Sequence, residues 1–515
     1  MTRYNMIEKF ESTICWDVII VGGGATGIGS ALDAASRGYK TLLLEQYDFG
    51  KGTSSKSTKL IHGGVRYLKQ GKIGLVKRAL KEREILMKNA PHICHSLSFI
   101  IPAYNWWELF YYGLGLKLYE LLRGDSKLDR SKYLFKKKTL KYLPGLFPLG
   151  LHGGVCYEDG QFDDTRLCIN LVQTAANKGA CLINYARVVS FIKEQGRVVG
   201  VQFVDTETGK NFSARANVVI NATGAFVDEV IKMDEPKASN FVMLSQGVHI
   251  VIDNSYFPGR HALLVPRTDD GRILFAIPWH GKVLVGTTDQ PVDIPVIEPR
   301  PLHEEIDFII NHFNRYTHSG LTRENVRSVF AGLRPLVKVP GYDKTKLLSR
   351  DHTIWVSKSQ LVNVLGGKWT TYRNIAQEAV DKAMYVGKLP RRQCQTETIR
   401  IHAALESIEM PHHLDIYGSD AAGILALQEE GYSSQIHERL PYTIAEVLWM
   451  TRNEMAMTVE DILSRRTRSL FLDAAASVEA APLVASIMSR ELSKSALWEQ
   501  QQIIAFSTIA ANYIA

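Results

Sequence analysis

Residues 16–21 (Trp-Asp-Val-Ile-Ile-Val) form a short apolar run rich in β-branched side chains, which predicts a buried strand. Small residues take over at 22–27, and a helical pattern over 25–36 closes near Gly38. A second apolar run, Thr41-Leu42-Leu43-Leu44, predicts another buried strand ending in Glu45. Two later segments repeat this grammar. Residues 218–225 read as a strand running into a small-residue turn, and 361–365 as a strand followed by Gly366-Gly367-Lys368 and a helix over 370–385. Between them, apolar runs and alternation at 188–192, 198–204, 211–220, 247–252, 262–265, 273–277 and 283–286 predict a second, largely β unit interleaved with the first. Beyond 390–392 the pattern turns helical, at 413–417, 421–425, 443–449, 459–468, 481–492 and 498–511. A helical pattern also covers 75–87.

The chain has 515 residues, enough at roughly 100–200 per domain for two to four domains. It is 45% hydrophobic and 22% charged, which argues against a wholly disordered or collagenous chain. With 61 Lys+Arg against 53 Asp+Glu, the net charge of +8 permits an anionic substrate, an anionic membrane or nucleic acid, and selects none of them. The cysteines (15, 94, 156, 168, 181 and 394) form no tight ligand pattern, as expected of reduced thiols in a cytosolic compartment. No signal peptide is expected at the amino terminus. A spanning helix needs roughly 18 apolar residues, and the nearest run, 106–122, is interrupted by Glu108, Lys117 and Glu120.

Gly22, Gly24 and Gly27 have the spacing GxGxxG between a strand and a helix. That spacing suits a tight turn, close approach of backbone to a pyrophosphate, and close packing of the helix. Glu45, at the next strand tip, can accept from an adenosine ribose. The fingerprint does not separate FAD from NAD. The turn at Ala222, Thr223 and Gly224, together with the strand–glycine–helix junction at Gly366-Gly367-Lys368, favours a tightly held flavin. Residues 52–67 are too polar for a core strand. Ser54, Ser55, Ser57 and Thr58 can donate to a pyrophosphate, and His62, Gly63, Gly64 and Arg66 are candidates for function. Arg334 precedes Pro335, which biases it toward an extended backbone. Its guanidinium calls for an anion, either a substrate phosphate or carboxylate or an internal Asp or Glu. His249 lies on a strand pattern, as a half-buried histidine or a base. Trp106-Trp107 and the following aromatics, with Lys136-Lys137-Lys138, fit a membrane surface, a nucleic-acid groove, or a core helix followed by a solvated basic hairpin. Arg465, Arg466 and Arg468 are expected in ion pairs or at the surface rather than on nucleic acid.

The chain resembles the FAD-dependent glycerol-3-phosphate dehydrogenase family, of the bacterial aerobic type. The resemblance rests on residues 22–27, Ser57-Thr58-Lys59-Leu60-Ile61-His62-Gly63-Gly64-Val65-Arg66-Tyr67, Gly332-Leu333-Arg334-Pro335, Gly366-Gly367-Lys368, Thr370-Thr371-Tyr372-Arg373 and the tail motif at 460–468. It implies an α/β fold with a glutathione-reductase-like Rossmann FAD domain, an interleaved β-rich (α+β) substrate domain and an all-helical C-terminal domain. The boundaries expected are 1–90, 150–230 and 350–390 for the FAD domain, 91–149 and 231–349 for the substrate and membrane-contact domain, and 391–515 for the helical domain. The implied reaction is oxidation of sn-glycerol 3-phosphate to dihydroxyacetone phosphate, with hydride to flavin N5 and electrons passed to membrane quinone.

The resemblance assigns Arg66, Tyr67, Thr287, Arg334 and Lys368 to the substrate. His249, Arg334, Lys368 and His62 are the catalytic candidates, with His249 preferred over His62 as base. Cofactor contacts are expected from Gly22, Gly24, Gly27, Glu45, Thr53, Ser54, Ser57, Lys59, Leu60, His62, Gly63, Ala222, Thr223, Gly224, Gly366, Gly367, Lys368 and Thr370. No metal and no nucleic acid are expected, and the tail has no EF-hand calcium loop. The implied location is cytoplasmic, peripheral on the inner face of the cell membrane and in contact with its anionic surface, with room for a homodimer. Two alternatives stand: a soluble oxidase that gives electrons to oxygen and makes hydrogen peroxide, and a flavin-binding structural protein without turnover.

Overall fold

The computed structural model describes residues 1–64, 73–123, 130–338, 352–405 and 413–515. The first sheet is built from the apolar runs near the amino terminus. Trp16–Val21 lies between Asn211–Asn221 and Thr41–Leu44, all parallel; Val362–Leu365 and Cys181–Ile183 extend the parallel order on either side. Thr353–Val356 adds an antiparallel edge, and an antiparallel ribbon, Ala186–Glu194 with Arg197–Asp205, leans on Asn211–Asn221. Parallel strands covered on both faces need continuous apolar runs, and Val18, Ile19, Ile20, Leu42, Leu43, Val219 and Ile220 are fully buried. The Ala25–Ser36 helix packs closely against the Tyr372–Val386 helix. A Cβ on Gly29 would come within 2.9 Å of the Tyr372 ring, so the helices meet where the small residue lets them.

A second, largely antiparallel sheet holds ten strands among the described residues. Its spine is the pair Val242–Asp253 and Val326–Val337. Cys94–Ala103, Gly153–Phe162 and Leu60–Ile61 continue the sheet toward the first one. Lys132–Phe135 pairs on Gly153–Phe162. Outside it runs the Trp106–Arg123 helix, which turns Trp106, Trp107, Phe110 and Tyr111 to solvent, Trp107 82% and Phe110 60% exposed, while Tyr119 on its other side is buried. Lys136, Lys137 and Lys138 open the exposed Lys136–Tyr142 helix where a basic hairpin was one expectation. No helix among the described residues is long and apolar enough to cross a membrane.

The carboxyl-terminal part is helical, with its own core around Val447, Ile462, Phe471 and Val484, and packs on the second sheet through Trp279 and Phe330. One helix starts earlier than the apolar pattern indicated. It spans Ala474–Glu491, with the Asp473 carboxylate accepting from the Ala476 amide. The alanine-rich first turns carry no polar–apolar alternation to read, and Pro482 falls inside the helix rather than at its start. Cysteines in the described residues are free thiols.

Candidate active site

The two sheets meet around a cavity of about 460 Å³. The glycine turn forms one wall. Gly22 has a φ of 107°, and a Cβ there would lie 2.7 Å from the Ala222 carbonyl oxygen. Gly24 caps the Ala25–Ser36 helix from an extended backbone, so the helix's first amides open toward the cavity. Gly27 is set behind the turn. A Cβ would sit 1.8 Å from the Gly22 carbonyl oxygen, so this position allows the helix to approach the strand rather than touching a ligand. Glu45 lines the cavity while accepting from the amides of Gly23 (2.5 Å) and Tyr47 (2.9 Å). Burial pushes its carboxyl above the usual range, against those two bonds. Ala222, Thr223 and Gly224 pass beneath, and Gly366, Gly367, Lys368 and Thr370 close the far end.

The Ser-rich loop divides into two roles. Ser54 faces the cavity and accepts from the Ala25 amide at 3.0 Å, while Trp369 donates to its carbonyl. Thr53 lines the cavity and donates to the Leu333 carbonyl at 2.6 Å. Ser55 is buried and donates to loop carbonyls. Ser57 donates to Asp164 Oδ2 at 2.7 Å. Lys59, expected among the cofactor contacts, is fully buried and does not line the cavity. Its ammonium donates to Asp164 (2.6 Å) and to the Ser55 carbonyl (2.7 Å), within 5.3–5.4 Å of the rings of Trp279, Phe330 and Phe471. Burial, then the charge of Arg468, push it down to about 7 against the pull of Asp164. Leu60 and His62 line the cavity; the His62 amide donates to Thr370 Oγ1 at 3.3 Å. Gly63 is turned to the rear, where its amide donates to the Tyr119 hydroxyl at 2.9 Å. Arg66 and Tyr67 lie outside the described residues.

The opposite wall comes from the spine of the second sheet. Register aligns Ser245 with Arg334, Gly247 with Gly332 and His249 with Phe330, so these six share one face. A Cβ on Gly247 would lie 2.2 Å from the Arg334 guanidinium, and one on Gly332 2.8 Å from the Lys56 carbonyl oxygen. The missing side chains leave room for the arginine and for the 56–58 loop. Arg334, with a quarter of its side chain exposed, donates to Thr287 Oγ1 (2.9 Å) and the Thr288 carbonyl (3.1 Å). Asp289 is 3.8 Å away, and its carboxylate also binds the Ser245 hydroxyl. Lys368 donates to the His62 carbonyl at 3.2 Å. His249 is only 1% exposed, stacked on Phe330 at 5.0 Å, with Nε2 3.0 Å from Thr58 Oγ1. Burial, then the charges of Arg334 and Lys59, hold its pKa well below the usual value, so the imidazole is neutral at pH 7.

These residues fit a dinucleotide with a redox ring: a cradle that a Cβ would fill, a helix amino terminus, a carboxylate at the second strand tip and basic groups at the other end. Sequence reasoning overlooked Asp164, Asp289 and Lys56. Lys56 lines the cavity with its ammonium bound to Glu298 at 2.7 Å. Only their spatial partners distinguish these residues from ordinary charged positions.

Residues 17–373 match the FAD dependent oxidoreductase family, and 357–502 match the family described as the C-terminal domain of alpha-glycerophosphate oxidase. The mitochondrial glycerol-3-phosphate dehydrogenase of Arabidopsis thaliana is 38% identical over 92% of this chain and 82% of its own length. That of Homo sapiens is 38% identical over 98% and 74%. Among solved structures, glycerol-3-phosphate dehydrogenase from Bacillus halodurans, complexed with FAD, superposes with a TM-score of 0.81 at 30% identity, covering 100% of this chain and 98% of that one.

Proposed function

Because this chain belongs to the FAD-dependent glycerol-3-phosphate dehydrogenase family, we propose that it oxidises sn-glycerol 3-phosphate to dihydroxyacetone phosphate and passes the electrons to a membrane quinone. Its cofactor is FAD. When bound, FAD supplies at N5 the acceptor for the hydride that leaves substrate C2. The observation that carries the reading is convergence. Arg334 from the second sheet and Lys368 from the first open onto the same cavity as the glycine turn.

Gly22, Gly24 and the helix they cap hold the pyrophosphate, Glu45 the ribose, and the turns at 222–224 and 366–367 the rest of the cofactor. Arg334, steadied by Thr287, binds the substrate phosphate through directional charge-assisted bonds. By the resemblance, Arg66 and Tyr67 also serve the substrate. Lys368, tied to the loop at His62, stabilises negative charge developing at the reacting oxygen. The neutral imidazole of His249 is the final acceptor for the C2 hydroxyl proton. A phosphate dianion seated on Arg334 offsets the positive charge that disfavours the imidazolium.

The enzyme sits peripherally on the inner face of the cell membrane. Support comes from Trp107, Phe110, Leu114 and Leu121, all at least 59% exposed on one side of a helix, with exposed Phe135 and three lysines beside them. The test is to add sn-glycerol 3-phosphate to FAD-loaded protein on anionic vesicles that contain quinone, in air. Quinone reduction well above peroxide formation is expected. Peroxide as the main product would replace the quinone reading with that of an oxidase.

A further inference from the structure

We propose that Thr58 is a catalytic proton relay, its hydroxyl taking the C2 hydroxyl proton of the substrate while passing its own to Nε2 of His249. The proposal rests on the reading above, in which His249 is the final acceptor, and asks how a proton reaches it.

The His249 ring is almost enclosed. One face stacks on Phe330 with an interplanar angle of 15°, and a Cβ on Gly286 would lie 2.3 Å from Cδ2. Nδ1 is buried without a hydrogen-bond partner. Only Nε2 is engaged, and its partner is the Thr58 hydroxyl at 3.0 Å. The residue borders the cavity but is only 1% exposed, with Nε2 taken by Thr58 and Nδ1 buried, so neither ring nitrogen is free to meet a substrate hydroxyl directly. Thr58, by contrast, is partly exposed and lines the cavity. It is therefore the group that stands between substrate and imidazole.

The fold holds Thr58 there from both sides. On one side, Ser57 and Lys59 are tied to Asp164 Oδ2 at 2.7 and 2.6 Å. Arg468 of the helical domain approaches the same carboxylate at 3.3 Å. On the other, the carbonyl of Lys56 lies over Gly332, where a side chain would push the loop away from the sheet. A hydroxyl both donates and accepts, so it can take one proton as it gives another. The step balances. The substrate O–H and C–H bonds break, the electron pair of the latter goes to FAD as hydride, one proton moves onto Thr58 Oγ1 and the original Thr58 proton onto Nε2. The products are the ketone, reduced cofactor and an imidazolium. Nε2 must be the unprotonated nitrogen beforehand, which leaves the hydrogen on Nδ1.

The experiment compares FAD-loaded wild type, Thr58→Val and Thr58→Ser. In anaerobic stopped-flow with sn-glycerol 3-phosphate, Thr58→Val is expected to slow flavin reduction about 100-fold, the scale of general acid–base catalysis, with flavin retention and substrate Kd within about twofold. The serine variant should recover to within about fivefold. Independently of turnover, nitrogen NMR of histidine-labelled protein without substrate should report His249 with hydrogen on Nδ1 and a hydrogen-bonded Nε2. That bond should be absent in the valine variant and present in the serine one. Wild-type reduction rates in Thr58→Val would overturn the relay, as would an Nε2-protonated His249 in the wild-type spectrum, which needs no variant to fold. If wild-type protein is not reduced by the substrate at all, the functional reading falls and takes the relay with it, whereas a failure confined to Thr58→Val leaves that reading intact.

Discussion

The Trp106–Arg123 helix and the 460–468 tail invert the usual placement of side chains. The first turns Trp106, Trp107, Phe110 and Tyr111 outward, with Trp107 and the nearby Leu121 each 82% exposed. The second buries its arginines: Arg465, Arg466 and Arg468 are 2%, 1% and 1% exposed. Polarity alone decided neither. The arginines are inside because carboxylates meet them there. Asp48 binds both Arg465 and Arg466, Glu460 and Asp461 bind Arg465, and Asp164 faces Arg468. The aromatics are outside where no part of the described chain covers them, beside lysines that suit an anionic lipid surface. Burial follows the available partner, whether a carboxylate within the chain or a second phase beyond it.

The largest effect should come from breaking a buried pair. Arg466→Ala leaves the buried Asp48 carboxylate with Arg465 alone and takes a charge partner from buried Glu454, and losing one partner of a buried pair costs about 3–5 kcal/mol. Trp107→Ala should change solution stability by less than about 0.5 kcal/mol. Urea unfolding of both variants checks the contrast, and equal losses would erase it. Next comes the lipid face. At about 1 kcal/mol per lysine near an anionic surface, Lys136, Lys137 and Lys138 all changed to Glu should weaken vesicle binding by about 100-fold or more. Flotation on anionic and neutral vesicles measures this, and equal binding to both before and after the change would detach the lysines from the membrane.

Acid should separate the two regions further. Burial pushes Glu460 up, but Arg465 and Lys51 outweigh it and hold the carboxyl at about 2. A folded-state pKa below the ordinary 4.5 means that the ionised pair stabilises the fold above that value, and that this contribution is lost as pH falls from about 4.5 toward 2. Tm should drop on acidification from pH 6 to 3, and Glu460→Gln should flatten that drop by roughly 2–4 °C. An unaltered profile would contradict the assignment. The smallest effect concerns Arg334, an arginine in the cavity that is neither sealed nor fully exposed. Arg334→Lys keeps the charge but loses the planar fork, and should raise the Kd for sn-glycerol 3-phosphate roughly tenfold with little change in Tm.

Where the local chemistry was short-range, the chain could be read directly. The glycine turn, its helix and the two flanking strands follow from a dozen residues whose pattern serves one purpose, and the helix bounds agree with those read from the apolar spacing. Arg334 was found because a basic residue before proline in an apolar run is locally anomalous. What escaped depends on long-range partners. Nothing near Lys59 in sequence tells that Asp164, 105 residues away, would draw its ammonium from the cavity. Likewise Thr58 looked like one more pyrophosphate donor until the sheet brought His249 to it across 191 residues. The buried state of Arg465 and Arg466 rests on Asp48, more than 400 residues earlier.

The visible absorption of the oxidised flavin tests most directly whether these residues form one active site. Purified protein carrying FAD, mixed anaerobically with sn-glycerol 3-phosphate, should lose that band with one equivalent of substrate, and Arg334→Ala should need far more substrate for the same loss. A flavin-replete wild type whose band persists at saturating sn-glycerol 3-phosphate would contradict the claim that the glycine turn, Arg334 and Lys368 form one active site for this alcohol.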